Sequence, residues 1–126
     1  MARERQRILI CRSDELAERA YVIQPVLYAG KSHSCIVLRF DGKLYAYLNQ
    51  CVHMPRTLNC ERDNVFDDRQ ALLRCSMHGI VYQPETGQSL SSLCQGERLT
   101  AIRLSESDGS IYIVDKHVMP DTQSGT

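Results

Sequence analysis

The sequence predicts an all-β fold, an antiparallel β-sandwich base carrying a loop-rich subdomain, and three observations support this. Two pairs of β-rich runs are joined by turn residues of the hairpin type, Asp41-Gly42 and Glu106-Ser-Asp-Gly109. No apolar repeat sustains a helix beyond a turn or two. Between the hairpins, residues 49–95 hold four of the six cysteines but few apolar runs of strand length, the composition of loops that something other than a core must hold.

Taken in order, Leu9 to Arg12 reads as a first strand. Ser13-Asp-Glu-Leu-Ala-Glu-Arg-Ala20 then offers an N-cap-like serine with acidic residues behind it, and predicts a turn or two of helix. Tyr21 to Ala29 predicts a strand in which Pro25 marks an edge, bulge or break, because proline lacks the N–H that a ladder needs. Ser34–Phe40, Asp41-Gly42 and Lys43–Asn49 form the clearest unit, since glycine accepts the positive φ that two-residue hairpin turns require. A second hairpin is expected from Leu99 through Ile113, with Ile102, Leu104, Ile111 and Ile113 alternating towards one face. The expected organisation is a single domain over 1–126, with base strands around 8–48 and 96–114, a loop-rich region at 49–95 and a mobile polar tail at 115–126.

Composition narrows the function classes. A chain of 126 residues supports one hydrophobic core. Fifteen basic residues balance fifteen acidic ones, which argues against a nucleic-acid surface. No run of 18 apolar residues exists, so no membrane span is expected, and Ile8–Cys11 is too short for the apolar part of a signal peptide. A cytoplasmic location is the resulting expectation.

The chemistry concentrates in two short clusters, Cys51-Val52-His53 and Cys75-Ser76-Met77-His78-Gly79. Each offers one thiolate and one imidazole from a tight loop, and the intervening residues 54–74 allow the loops to approach from opposite sides. These four residue types would also suit a Cys2His2 zinc site, although zinc loops more often use a Cys-x2-4-Cys knuckle.

The pattern Cys-x-His, a gap, then Cys-x-x-His-Gly resembles the Rieske family, in which two cysteines bind one iron of a [2Fe-2S] centre and two histidines the other. The likeness extends to Leu58, Tyr82 and the segment Pro84-Glu-Thr-Gly87. It implies a Rieske fold and one [2Fe-2S] cluster per chain. Cys51 and Cys75 would hold the inner iron, and His53 and His78 the outer iron nearer the surface. Two ferric ions, two sulfides and two thiolates sum to zero charge, so this centre accepts an electron more readily than a four-thiolate one.

Departures from the family pattern refine the reading. The extra cysteines that form a loop-to-loop disulfide in some members would fall at Arg56 and Met77 here, so that disulfide is not expected. Ile80 stands where high-potential members have a serine whose hydroxyl donates to a sulfide, while Tyr82 keeps the aromatic position. Losing that donor removes stabilisation of the added electron, which implies the low-potential, ferredoxin-like branch. The charged stretch 59–70 lengthens the gap and is either a partner-recognition element or a plain solvated loop. Pro55 replaces a more usual small residue, and Met54 and Met77 read as apolar shielding. Cys60 reads as a free thiol, Cys11, Cys35 and Cys94 as packing residues, and His33 and His117 as surface positions.

Neither a dinucleotide-binding glycine pattern nor a phosphate-binding loop is present, and no mononuclear iron site follows. The resemblance therefore implies an electron carrier without independent catalysis. It would take one electron from a reductase and pass it through the His53/His78 edge to a terminal oxygenase or similar enzyme. Two other classes stay open: a small electron-transfer subunit of a nitrite reductase-like oxidoreductase, and a non-catalytic redox-sensing module using the 59–70 loop and Cys60.

Overall fold

The structure, a computed structural model, describes residues 7–50, 57–58, 64–67, 69–75, 80–90 and 97–120. The chain forms two compact units, one of residues 1–46 with 102–126 and one of residues 47–101. Every named strand pairing is antiparallel, and apart from a 3-10 turn at Ser13–Glu15 no helix occurs among the described residues. The fold is the all-β one expected.

The first unit contains a three-stranded and a four-stranded sheet. The strands are β1 (Ile8–Arg12), β2 (Tyr21–Tyr28), β3 (Lys31–Phe40), β4 (Lys43–Leu48), β7 (Leu104–Ser107), β8 (Ser110–Ile113) and β9 (Val118–Pro120). Their orders are β1-β8-β7 and β4-β3-β2-β9. Three two-residue turns make the hairpins. Ala29-Gly30, Asp41-Gly42 and Asp108-Gly109 each place both residues at positive φ, the conformation whose twist matches that of the flanking strands. The second predicted hairpin is thus tighter than expected. Its turn is Asp108-Gly109 alone, and Glu106 and Ser107 extend the strand.

β3 forms the centre of this unit. Cys35, Ile36, Val37 and Leu38 are all fully buried, so both faces of the strand are covered, and buried Ile8, Ile111 and Ile113 come from the other sheet. The Cys35 thiol is pushed up to about 12 by burial, with Asp115 adding a smaller push. It is a packing residue, as expected. Burial also raises the Cys11 thiol, helped by Glu15. β1 carries a bulge, because Leu9 pairs with Tyr112 and Cys11 with Ile111, leaving Ile10 as the extra residue.

Two expectations are corrected here, and one is narrowed. Ser13–Ala20 makes only the 3-10 turn, with Arg12 rather than Ser13 at the cap position and the Arg12 N–H donating to Glu15 at 3.0 Å. The segment is held from outside instead: the Arg39 guanidinium donates to the carbonyls of Leu16 (2.7 Å) and Ser13 (3.0 Å). Pro25 does not break β2, which pairs with β3 in unbroken register from Tyr21 to Tyr28. β9 reaches only Val26 to Tyr28, so Pro25 lies where β2 is an edge on that side, one of the settings expected for it. Finally, the segment expected to be a mobile tail is ordered as far as Pro120. Val118 is buried, and β9 adds a strand to the sheet.

Glu18 caps the Asp41-Gly42 turn by accepting from the backbone N–H groups of Gly42 (2.9 Å) and Asp41. These two bonds, that from Gly42 foremost, hold its carboxyl below the ordinary glutamate range. A lowered folded-state value means the contribution is present above the ordinary range and is lost as pH falls through the folded value. Glu18→Gln is therefore expected to narrow the gap between the urea midpoints measured at neutral and at acid pH. An unchanged gap would show that this turn does not titrate.

Candidate metal centre

The second unit is built from short extended pieces whose hydrogen bonds frame two loops. β5 (Leu73–Arg74) pairs with β6 (Val81–Tyr82), and the Cys75 N–H donates to the Ile80 carbonyl at 2.8 Å. Cys75 and Ile80 therefore face each other, and the four residues between them in sequence, 76–79, include His78. On its other side β5 is supported by the segment before it. Phe66 bridges Leu73, the Arg74 N–H donates to Val65 (2.8 Å), and Asp67 closes the turn by accepting from Ala71 and Leu72. This ordered return, Val65 to Leu73, lies partly within the charged insertion; Val65, Phe66 and Leu73 are buried, so its end serves as a wall for β5.

The first ligand segment is framed in the same way. Asn49, buried at the end of β4, accepts from the Leu58 N–H through Oδ1 at 2.9 Å, and Leu58 is itself fully buried. Residues 50–57, which include Cys51 and His53, run between these two points.

A third frame lies after β6. The Gly87 N–H donates to the Gln83 carbonyl (2.7 Å) and the Gln83 N–H to the Gln88 carbonyl (2.9 Å), closing the turn around Pro84-Glu-Thr-Gly87. The Tyr47 hydroxyl donates to the Pro84 carbonyl at 2.7 Å in a buried setting. Gly87 sits at φ +76°, and a Cβ there would come within 2.8 Å of the Tyr47 ring. The resemblance in this segment thus has a physical basis: the turn needs a glycine both for its backbone and for space.

Of the four predicted ligands, Cys75 is described and has no solvent exposure. Cys51, His53 and His78 lie outside the described residues, as do Cys60, Cys94, Met54, Pro55, Arg56 and Met77. No three ligating side chains cluster among the described residues. Ile80 and Tyr82, on the other side of this hairpin, are both buried. A bare thiolate in such surroundings is costly, whereas a soft metal centre takes up its charge. A fully buried sulfur at this position therefore fits a thiolate-bound cluster. Motif reading does not single out Asn49 or Tyr47. The available signal is their place at the end of the apolar run Ala46-Tyr-Leu, immediately before Cys51.

These features define an all-β domain with a fully buried cysteine, Cys75, directly after a short hairpin strand. The chain belongs to the Rieske [2Fe-2S] domain family, whose sequence profile matches residues 6–115, and its cofactor is a Rieske-type [2Fe-2S] cluster. No curated protein sequence matches it. Among solved structures it is similar to the ferredoxin of carbazole 1,9a-dioxygenase from Nocardioides aromaticivorans IC177, at 18% identity over 88% of this chain and 99% of that one, with a TM-score of 0.66. It is also similar to the terminal oxygenase of carbazole 1,9a-dioxygenase from Novosphingobium sp. KA1, at 22% identity over 93% of this chain and 31% of that one, TM-score 0.70. A third match is a chain in the reduced complex between oxygenase and ferredoxin in carbazole 1,9a-dioxygenase, at 22% identity over 88% and 28%, TM-score 0.68. The chain spans less than a third of the length of the first structures it matches. At these identities the likeness is one of fold.

Proposed function

We propose that this domain is a one-electron carrier with a low-potential Rieske cluster held by Cys51, His53, Cys75 and His78. It would pass electrons from a reductase to a terminal oxygenase or similar enzyme. The observation that carries this reading is the buried Cys75, with Ile80 opposite it. When bound, the cluster takes up and gives back one electron. The protein's own part is to keep water from Cys75 and to hold each ligand loop by its ends. Buried Ile80 supplies no hydroxyl at the family's donor position, which supports the low potential. The match over almost the whole of a dioxygenase ferredoxin, and the oxygenase–ferredoxin complex among similar structures, support the choice of partner. Among the described residues no helix is long and apolar enough to cross a membrane.

Voltammetry of the anaerobically purified protein tests the potential, which is expected near the low end of the Rieske range, about −150 mV. A value in the positive range would place it in the other branch. Mixing the reduced protein with a terminal dioxygenase is expected to reoxidise it in a single-turnover experiment. Failure to transfer to any oxygenase, with transfer instead inside a tightly held complex, would favour the oxidoreductase-subunit alternative.

A further inference from the structure

The Asn49 side chain closes the first ligand segment, and we propose that it is a positioning residue for Cys51 and His53. This rests on the ligand reading above. Asn49 is 3% exposed and Leu58 is fully buried, and the bond from the Leu58 N–H to Asn49 Oδ1 (2.9 Å) is shielded from water. A side chain thus does here what a backbone ladder does elsewhere. It ties the residue after β4 to the buried Leu58, with residues 50–57 between them in sequence. Asn49 itself is anchored, because the neighbouring Leu48 N–H donates to Thr100 (2.8 Å) and Tyr47 bridges Ala101. Fixing both ends of an eight-residue connection removes much of its conformational freedom before any metal binds. Cys51 is two residues from the anchored end and His53 four. A buried N–H left without its acceptor would instead be satisfied only by water or by movement of the segment.

The test compares the holoproteins of wild type, Asn49→Leu, Asn49→Asp and Cys51→Ser. Iron release to an excess chelator and the EPR spectrum of the reduced state are the readouts. Asn49→Leu keeps the size and loses the acceptor. It is expected to release iron about tenfold faster, as removal of outer-shell partners does elsewhere, with shifted or broadened g-features. Asn49→Asp keeps the acceptor oxygen and is expected to stay within about twofold of wild type, because the bond to the Leu58 N–H is retained. Should Asn49→Leu fail to fold, Asn49→Ser, whose hydroxyl is too short to reach Leu58, carries the same expectation. Wild-type release and spectrum in Asn49→Leu, or equal losses in the leucine and aspartate variants, would overturn the positioning role. Full iron content in Cys51→Ser would overturn the ligand reading and the clamp's purpose with it. Loss of iron in Cys51→Ser with no effect at position 49 would overturn the clamp alone.

Discussion

Cys75→Ser is expected to purify without its cluster, falling from about two irons per chain to a trace and losing the rhombic EPR signal of the reduced state. The serine side chain is close in size to cysteine, so the core around this fully buried position keeps its volume. What it cannot supply is a soft anionic sulfur. One iron would lose half its thiolate ligands, and the hard oxygen left behind is a poor substitute for a metal that favours sulfur. Because a bound centre contributes folding energy that short loops lack, the second unit is expected to lose thermal stability as well. Iron and acid-labile sulfide analysis with EPR checks this. Retention of a two-iron centre in Cys75→Ser would remove this residue from the ligand set and overturn the proposed four-residue assignment.

Gly87→Ala is expected to destabilise the second unit by about 2–4 kcal/mol, and the size follows from two separate costs. Alanine at φ +76° is strained by roughly 1 kcal/mol. Its Cβ would also lie 2.8 Å from a ring carbon of Tyr47, an overlap of the kind that costs about 1–3 kcal/mol in a packed interior. The ring has little room to give, since Tyr47 is 3% exposed and its hydroxyl is bonded to the Pro84 carbonyl. Gly30 provides the internal control. It sits at φ +83° with nothing within 4 Å of a would-be Cβ, so Gly30→Ala should carry only the backbone strain, about 1 kcal/mol. Urea denaturation of both variants measures the difference. Equal losses would mean that the Tyr47 contact is not limiting.

What the sequence discloses and what it hides divide along physical lines. The Asp41-Gly42 hairpin and the β7–β8 pair are legible because Asp-Gly names a turn type locally. The Ala29-Gly30 turn has the same geometry but begins with alanine, which gives no such signal. Helix propensity in Ser13–Ala20 is overridden by Arg39, a residue more than twenty positions away whose guanidinium takes the carbonyls a helix would have used. β9 is three residues long and ends in proline, and nothing in Val118-Met-Pro marks a strand without the β2 edge that accepts it. In the second unit β5 and β6 are two residues each, below the length at which alternation can be read. The ligand motif itself is legible because metal chemistry restricts residue types. Its supports, Asn49 and Tyr47, look like any strand end until their hydrogen bonds are seen.

The division of the chain into an outer and an inserted part also has a consequence for the order in which the protein can assemble during synthesis. β2, β3 and β4 are joined by two-residue turns, so their contacts close short loops at small entropic cost. β1 is different, because Ile8 finds its partner at Ile113, after the whole of residues 47–101 has been made. Among the strands of its unit, β1 is thus one of the last to gain a neighbour. Its exposed Leu9 and its bulge sit on an edge that must wait unpaired. A bulged, arginine-flanked edge is poorly suited to pairing with another chain.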